Sequence, residues 1–280
     1  TWFYTSYLLD KHQSGEVYAK ERFDNYKKQP LEFSFPKHFT GKLPSSPKGE
    51  RIKAAIIREK GSNSEREMAY MMHLAGFDVK DVHMTDLIEG RENLEEVRLL
   101  AAVGGFSNSD VLGSAKGWAG AFLYNPEARK ALQNFFDRED TLSLGVCNGC
   151  QLFIELGLLN PEDDEKPKML PNKTGKFESV FTTVNIEENS SVMFSSMAGS
   201  TLGVWSAHGE GKFKMPREES HYHIVGKFAY EKLPSGPNES DFNTAMLSDK
   251  TGRHTVMMPH LERSVFPWNW AYYPKDRKED

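Results

Sequence analysis

The sequence predicts an α/β protein: a mostly parallel central sheet with helices on both faces, in three α/β/α layers. Three observations predict it. Short apolar runs of strand length recur at Lys53 to Ile57, Leu99 to Val103 and Leu142 to Val146. Segments with helical patterning separate them. The later part adds further strand-length segments, which predicts an extra strand-rich insert.

Taken in order, residues 1 to about 50 differ from the rest of the chain. They are rich in Tyr, Phe, Lys and Pro. Thr1 to Tyr26 reads as one amphipathic helix with Leu8, Leu9 and Tyr18 among its apolar positions. Pro30, Pro36, Pro44, Pro47 and Gly49 then mark a linker or wrapping extension. Ala54, Ala55, Ile56 and Ile57 form the first buried strand. Between Ser62 and Gly76, Met68, Met71, Met72 and Ala75 recur at helical spacing, a core stripe that Gly76 ends. Asp78 to His83 alternates as a strand. Leu99 to Val103 ends at Gly104-Gly105. Asn125 to Phe136 reads as a helix. Leu142 to Val146 is a strong strand, followed by Cys147 and a helical run from Gln151 to Leu158. The charged, Pro-bearing stretch Pro161 to Pro171 reads as a surface loop. Further strands are expected at Ser179 to Ile186, Thr201 to Ser206, His221 to Tyr230, Thr244 to Ser248 and His254 to Met258.

Composition narrows the function. With 280 residues, 38% hydrophobic and 27% charged, the chain can bury a core and is not of the disordered class. Acidic residues outnumber basic ones by 40 to 35, so no broad basic field favours nucleic acid. No apolar run reaches the roughly 18 residues of a membrane span. Two cysteines, Cys147 and Cys150, do not make a disulfide framework, and a reducing cytoplasmic setting fits them. Thr1 opens without Met and without a signal pattern. The expected organisation is an extension over 1–50 from an upstream region, then one domain over 51–280.

The sharpest motif is Gly145-Val146-Cys147-Asn148-Gly149, between an apolar strand and a helical run. It is the cysteine counterpart of the G-x-S-x-G nucleophile elbow. Gly145 and Gly149 keep side chains away from a sharp turn. The helix N-terminus beyond it favours a thiolate and offers N–H groups to an oxyanion. The competing readings are a structural cysteine in a Gly-rich turn, or a C-x-x-C redox or zinc pair with Cys150. A zinc site would need two more ligands. Cys150, one turn into the helix, reads as core packing.

A nucleophilic cysteine needs a base and a group that orients it. Met258-Pro259-His260-Leu261-Glu262-Arg263 follows a candidate strand. In an extended segment His260 and Glu262 project to one side. Glu262 then serves either His260 or an imidazole on a neighbouring element. Eight other histidines compete, and spacing alone does not choose among them.

A cysteine followed by a late His-x-Glu resembles the class I glutamine amidotransferases. The resemblance is closer to the glutaminase domains of the large purine-biosynthetic phosphoribosylformylglycinamidine synthases. It is carried by Gly104-Gly105-Phe106-Ser107, Asp110 through Ala119, Gly145 through Gln151, Asn172 through Glu178, His208-Gly209-Glu210-Gly211 and Met258 through Arg263. It covers roughly residues 51 to 274. The N-terminal Thr5-Ser6-Tyr7 stretch is similar to the end of that family's synthetase region.

The resemblance implies a flavodoxin-like, three-layer amidotransferase fold. It implies that Cys147 attacks glutamine, that His260 is general base and acid, and that Glu262 orients it. It implies an oxyanion hole from the N–H of Asn148 and one from the Gly105-Phe106 turn, with Gln151 contacting substrate. It implies no metal or cofactor in this domain. ATP and magnesium would act in a synthetase domain of the same larger chain, which would use the ammonia to amidate formylglycinamide ribonucleotide. Low glutaminase activity is expected of this part alone. Two departures stand out: Leu261 where the family usually has Pro, and Ser107-Asn108-Ser109 where an aromatic residue and Gly are commoner.

Weaker signals stay open. His208 through Gly211 is a site-lining or domain-contact loop, or a plain hairpin turn. Lys116, Trp118, Trp268, Trp270, Tyr272 and Tyr273 are a docking face or ordinary packing. Two rival functions are another α/β cysteine hydrolase or peptidase on the same elbow, and a catalytically idle regulatory module.

Overall fold

The computed structural model describes residues 2–42 and 49–274. The first part contains α1 (Trp2–Asn25), β1 (Lys53–Arg58), α2 (Glu65–Leu74), β2 (Asp78–His83), α3 (Met84–Ile88) and β3 (Leu99–Ala102). The middle contains α4 (Lys116–Tyr124), α5 (Pro126–Asp137), β4 (Leu142–Val146) and α6 (Asn148–Glu155). The last part contains β5 (Lys168–Leu170), β6 (Glu178–Ile186), β7 (Thr201–His208), β8 (Lys212–Lys214), β9 (His223–Phe228), β10 (Thr244–Ser248) and β11 (His254–Met257).

Nine strands form one sheet, ordered β2-β1-β3-β4-β11-β10-β9-β6-β7. The run from β2 to β11 is parallel. Its inner strands β1, β3 and β4 carry apolar, buried runs because helices such as α2 and α6 pack against them, whereas the edge strand β2 alternates and is largely exposed. The strand-rich later part is antiparallel and continues this sheet beyond β11. Inside the expected Pro161 to Pro171 loop, β5 pairs with β8 as a small second sheet.

Local chemistry accounts for the helices. In α2, Met68 and Met72 are buried, as the methionine stripe predicts. Asn125 caps α5 by accepting the Ala128 N–H at 2.8 Å, and Pro126 fills the first turn. α4, which sequence patterning does not isolate, buries Trp118, Ala119 and Phe122.

The expected single amphipathic helix at the N-terminus is corrected. Gly15, at φ 79° and ψ 165°, breaks α1 into two halves that fold back on each other. Phe3 and Tyr7 of the first half meet Phe23 of the second. Leu8 and Leu9 are exposed, while Asp10, Ser14 and Ala19 are buried. Asp10 is inside because it is paired: Arg22 Nε donates to it at 2.9 Å, and Lys176 Nζ at 2.6 Å. Arg22 also forks onto both oxygens of Glu178 at the start of β6. Farther on, Ser34 bridges Thr201 of β7, and Phe33 and Phe35 pack on Trp270. The extension therefore wraps the antiparallel half of the sheet. Pro44 and Pro47 of the expected linker lie outside the described residues.

Candidate active site

Adjacent parallel strands bring the two motifs together. β4 and β11 are neighbours, and their pairing runs on past β4, where Cys147 N–H donates to Met257 O at 2.8 Å. Cys147 follows the last residue of β4, and His260 lies three residues beyond β11. The chain therefore delivers both to the same end of the sheet.

Cys147 has φ 50° and ψ −102°, a strained conformation for a residue with a side chain. It turns the strand sharply into α6. The turn demands glycine on either side. A Cβ on Gly149 would lie 2.0 Å from Ala102 O, and one on Gly145 2.7 Å from Gly149 O. The sulfur is nearly buried and points at Ala207 O, 3.6 Å away.

His260 is fixed from two sides. Its N–H donates to Trp205 O of β7 at 2.7 Å. Its Nδ1 bonds Glu262 Oε1 at 2.6 Å, and the side chain of Cys147 acts on the ring electrostatically. Glu262 thus serves His260 itself, which settles the alternative left by spacing. It does so from a 3₁₀ turn, Leu261–Arg263, not from an extended segment. Leu261, where the family usually has Pro, packs against the core.

Burial by itself pushes the His260 ring down. The interaction with Cys147, then that with Glu262, outweighs it and raises the ring to about 10. A protonated ring is thus held between a sulfur and a carboxylate. Cys150 is different: full burial pushes its thiol well up, so it is a packing residue and not a second nucleophile.

The N–H groups around the sulfur differ in their commitments. Asn148 N–H, first in α6, has no intrahelical acceptor. Phe106 N–H donates to Gly61 O at 2.9 Å. Gly105 N–H makes no hydrogen bond among the described residues. Of the predicted turn, Gly105 is therefore the donor left available. Asn148 also steadies that turn, since its Oδ1 accepts Ser107 N–H at 3.1 Å. Beyond it, Asn108, Ser109 and Asp110 are three successive non-glycine residues with φ between 51° and 56°. The departure at Ser107-Asn108-Ser109 is thus a strained, defined turn.

Gln151 is buried. Its Oε1 accepts from Asn148 Nδ2 at 2.9 Å, and its Nε2 donates to Glu210 O at 2.7 Å. It ties α6 to the His208–Gly211 loop. That loop is more than a hairpin turn. Asn172 Oδ1 accepts Gly211 N–H at 3.1 Å and bonds His208 Nδ1 at 2.9 Å. Sequence reasoning missed Asn172 in this role, although its segment carries part of the family resemblance. Trp118 is fully buried, which overturns the docking-face reading for it. Trp270 packs on Phe33, Phe35 and Phe181, while Trp268 is exposed and stacks on Phe266.

The family profile for CobB/CobQ-like glutamine amidotransferase domains matches residues 51–280. The chain belongs to this family. The amidotransferase domain and its N-terminal extension are together similar to phosphoribosylformylglycinamidine synthase of Homo sapiens. Identity is 40% over 304 residues, covering 98% of this chain and 22% of the relative. The synthase of Dictyostelium discoideum is 36% identical over 303 residues, covering 100% of this chain and 22% of the relative. The chain thus spans under a quarter of the length of these curated relatives. The solved structure of PurLQS from Thermotoga maritima shares the fold, with a TM-score of 0.64 at 24% identity, covering 79% of this chain and 92% of that one. Among the described residues no helix is long and apolar enough to cross a membrane.

Proposed function

We propose that this amidotransferase domain hydrolyses glutamine through a γ-glutamyl thioester on Cys147 and supplies ammonia to a synthetase part of a longer chain. The observation that carries the reading is the Cys147–His260–Glu262 relay at the turn into α6.

The steps use groups already described. The sulfur of Cys147 attacks the glutamine carboxamide carbon. The carbonyl oxygen becomes an oxyanion facing Asn148 N–H and Gly105 N–H; a donor of this kind contributes about 10²–10³ in rate. His260 gives its proton to the departing nitrogen, the C–N bond breaks and ammonia leaves. Water then attacks the thioester, His260 takes its proton, and glutamate is released with the sulfur restored. Glu262 keeps the ring oriented and its charge compensated throughout.

Gln151 acts through its neighbours, holding the Glu210 loop beside the substrate. The likeness to phosphoribosylformylglycinamidine synthases supports purine synthesis as the setting and formylglycinamide ribonucleotide as the ammonia acceptor. ATP and magnesium belong to the acceptor part. A reducing compartment such as the cytoplasm keeps both cysteines as thiols. Release of ammonia without its acceptor would be wasteful, so the domain alone should turn over glutamine slowly.

The test is covalent labelling. A chloroketone analogue of glutamine should modify Cys147 alone, seen by mass spectrometry of the peptide, and glutamine should protect it. Labelling at Cys150, or none, defeats the assignment. Hydrolysis of peptides or esters with glutamine inert would favour the rival hydrolase.

A further inference from the structure

β4 and β11 carry the catalytic residues at one end. At the other, His254 opens β11 opposite Ser143 of β4. A cavity of about 440 Å³ lies there, walled by Phe122, Leu132, Phe136, Leu156 and Leu159. No step of the glutaminase reaction uses it.

His254 is part of its lining and is 3% exposed. Its Nδ1 bonds Ser143 Oγ at 3.0 Å, and its ring lies against Phe136 with centroids 4.4 Å apart. Its Nε2 is buried and has no hydrogen-bond partner. Such atoms are uncommon in folded proteins and ask for an explanation. Burial keeps the ring neutral, pushed down to about 4.

The rim has four cationic side chains against three acidic ones. Most of them are committed. Lys250 pairs with Glu162 at 2.8 Å. The Asp249 carboxylate accepts from His254 N–H and from Thr251. Arg253 donates to the carbonyls of Arg138 and Thr141. Arg129 and Lys166 have no ion pair among the described residues, and Asp137 alone remains to set against them.

We infer that this cavity binds a small organic anion with a flat aromatic body. The apolar walls hold the ring, as walls of this kind do in pockets of this size. Arg129 and Lys166 hold the negative group at the mouth. His254 Nε2, a buried nitrogen of the lining without a hydrogen-bond partner, supplies the orienting polar contact from within. The inference does not depend on the reaction at Cys147.

The probe is 2-naphthoate, titrated into the protein labelled with ¹⁵N at histidine, with the ring resonances followed by NMR. The expected result is a saturable shift of His254 Nε2, with His208 and His260 unmoved. 2-Naphthalenemethanol, which has the same ring without the charge, should bind at least tenfold more weakly. The double variant Arg129→Ala/Lys166→Ala changes one exposed and one half-buried side chain, neither with an ion pair among the described residues, and should fold normally by circular dichroism. It should raise the Kd for naphthoate at least tenfold. No saturable shift at His254, equal binding of the alcohol, or an unchanged Kd in the double variant would overturn the inference.

Discussion

Glu262 gives one carboxylate oxygen to His260 Nδ1 at 2.6 Å, while its other oxygen, also buried, meets no hydrogen-bond partner. A buried carboxylate so poorly solvated needs a compensating charge. The protonated ring of His260 supplies it, and Arg263 Nε stands 3.9 Å away as a minor contributor. With Cys147, the acid therefore helps to keep the ring charged.

Glu262→Gln keeps the shape and removes the charge. Glutamate release should fall by about 10²–10⁴-fold, the range set by losing an oriented general base. The ring's value of about 10 should drop. The ring of His260 would then lose its proton at lower pH. Alkylation of Cys147 followed against pH reads this directly. An upper limb that stays in place would mean that Glu262 does not tune the ring. The sign for stability agrees. A folded value above the ordinary 6.5 gives stability that is complete below about 6.5 and is lost as pH rises through about 10.

Gly104 tests how tightly the ring is held. A Cβ there would lie 2.7 Å from His260 Cε1 and 3.5 Å from Cys147 Cβ. Glu262 holds the ring at Nδ1, and Trp205 O holds the backbone N–H of His260. Gly104→Ala should cost about 1–3 kcal/mol in stability, as overpacking does. It should lower glutaminase activity by about 10²-fold through misplacement of the ring. Urea unfolding and glutamate release measure the two effects. Unchanged activity would show that the ring has room to move.

Much of this site is legible in the sequence, because its signals are local. The apolar run into Gly145-Val146-Cys147 states a strand, a corner and a nucleophile at once. The pairing of Cys147 with His260 is not local. It depends on β11 inserting beside β4, and only the family resemblance singles out His260 among nine histidines. Gly15 is invisible as a hinge because a lone glycine inside a helical pattern is often tolerated. Asp10 is unreadable as a buried residue because Arg22 reaches it only across the break at Gly15, and Lys176 comes from a distant chain segment. The donor choice between Gly105 and Phe106 turns on Gly61 O, on a separate loop.

The N-terminal hairpin should detach in acid. Burial raises the Asp10 carboxyl, but hydrogen bonds from Lys176, Ser14 and Arg22 outweigh it and hold it near 2. A depressed carboxyl gives stability that is present above its ordinary value near 3.8 and is lost as pH falls through about 2. Asp10→Asn should mimic this at neutral pH at a cost of about 1–3 kcal/mol, because Arg22 and Lys176 lose a charged acceptor. Hydrogen exchange across 2–25 is the measurement. Faster exchange there, with β1 and β3 unaffected, is expected; uniform protection would mean that Asp10 does not anchor the hairpin.

His208 should have the opposite sensitivity to His260. Asn172 Oδ1 accepts Gly211 N–H, so it is an oxygen, and His208 Nδ1 must carry the proton it shares with it. His208 Nε2 then accepts from Ser206 Oγ at 3.0 Å. Both ring nitrogens are satisfied in the neutral form. Burial, aided by the charge of His260, pushes the ring down to about 3. The unfolded chain binds this proton first, so the contribution is complete above about 6.5 and is lost as pH falls towards 3. His208→Gln cannot titrate, and its unfolding midpoint in urea should fall less steeply over that window than the parent's. The Gly209–Gly211 backbone sits on this ring and carries the carbonyl that Gln151 grips. Loosening it should raise KM for glutamine several-fold while kcat changes less, since Cys147 and His260 keep their own supports. Equal losses in both constants would instead place His208 among the groups that act on the reacting atoms.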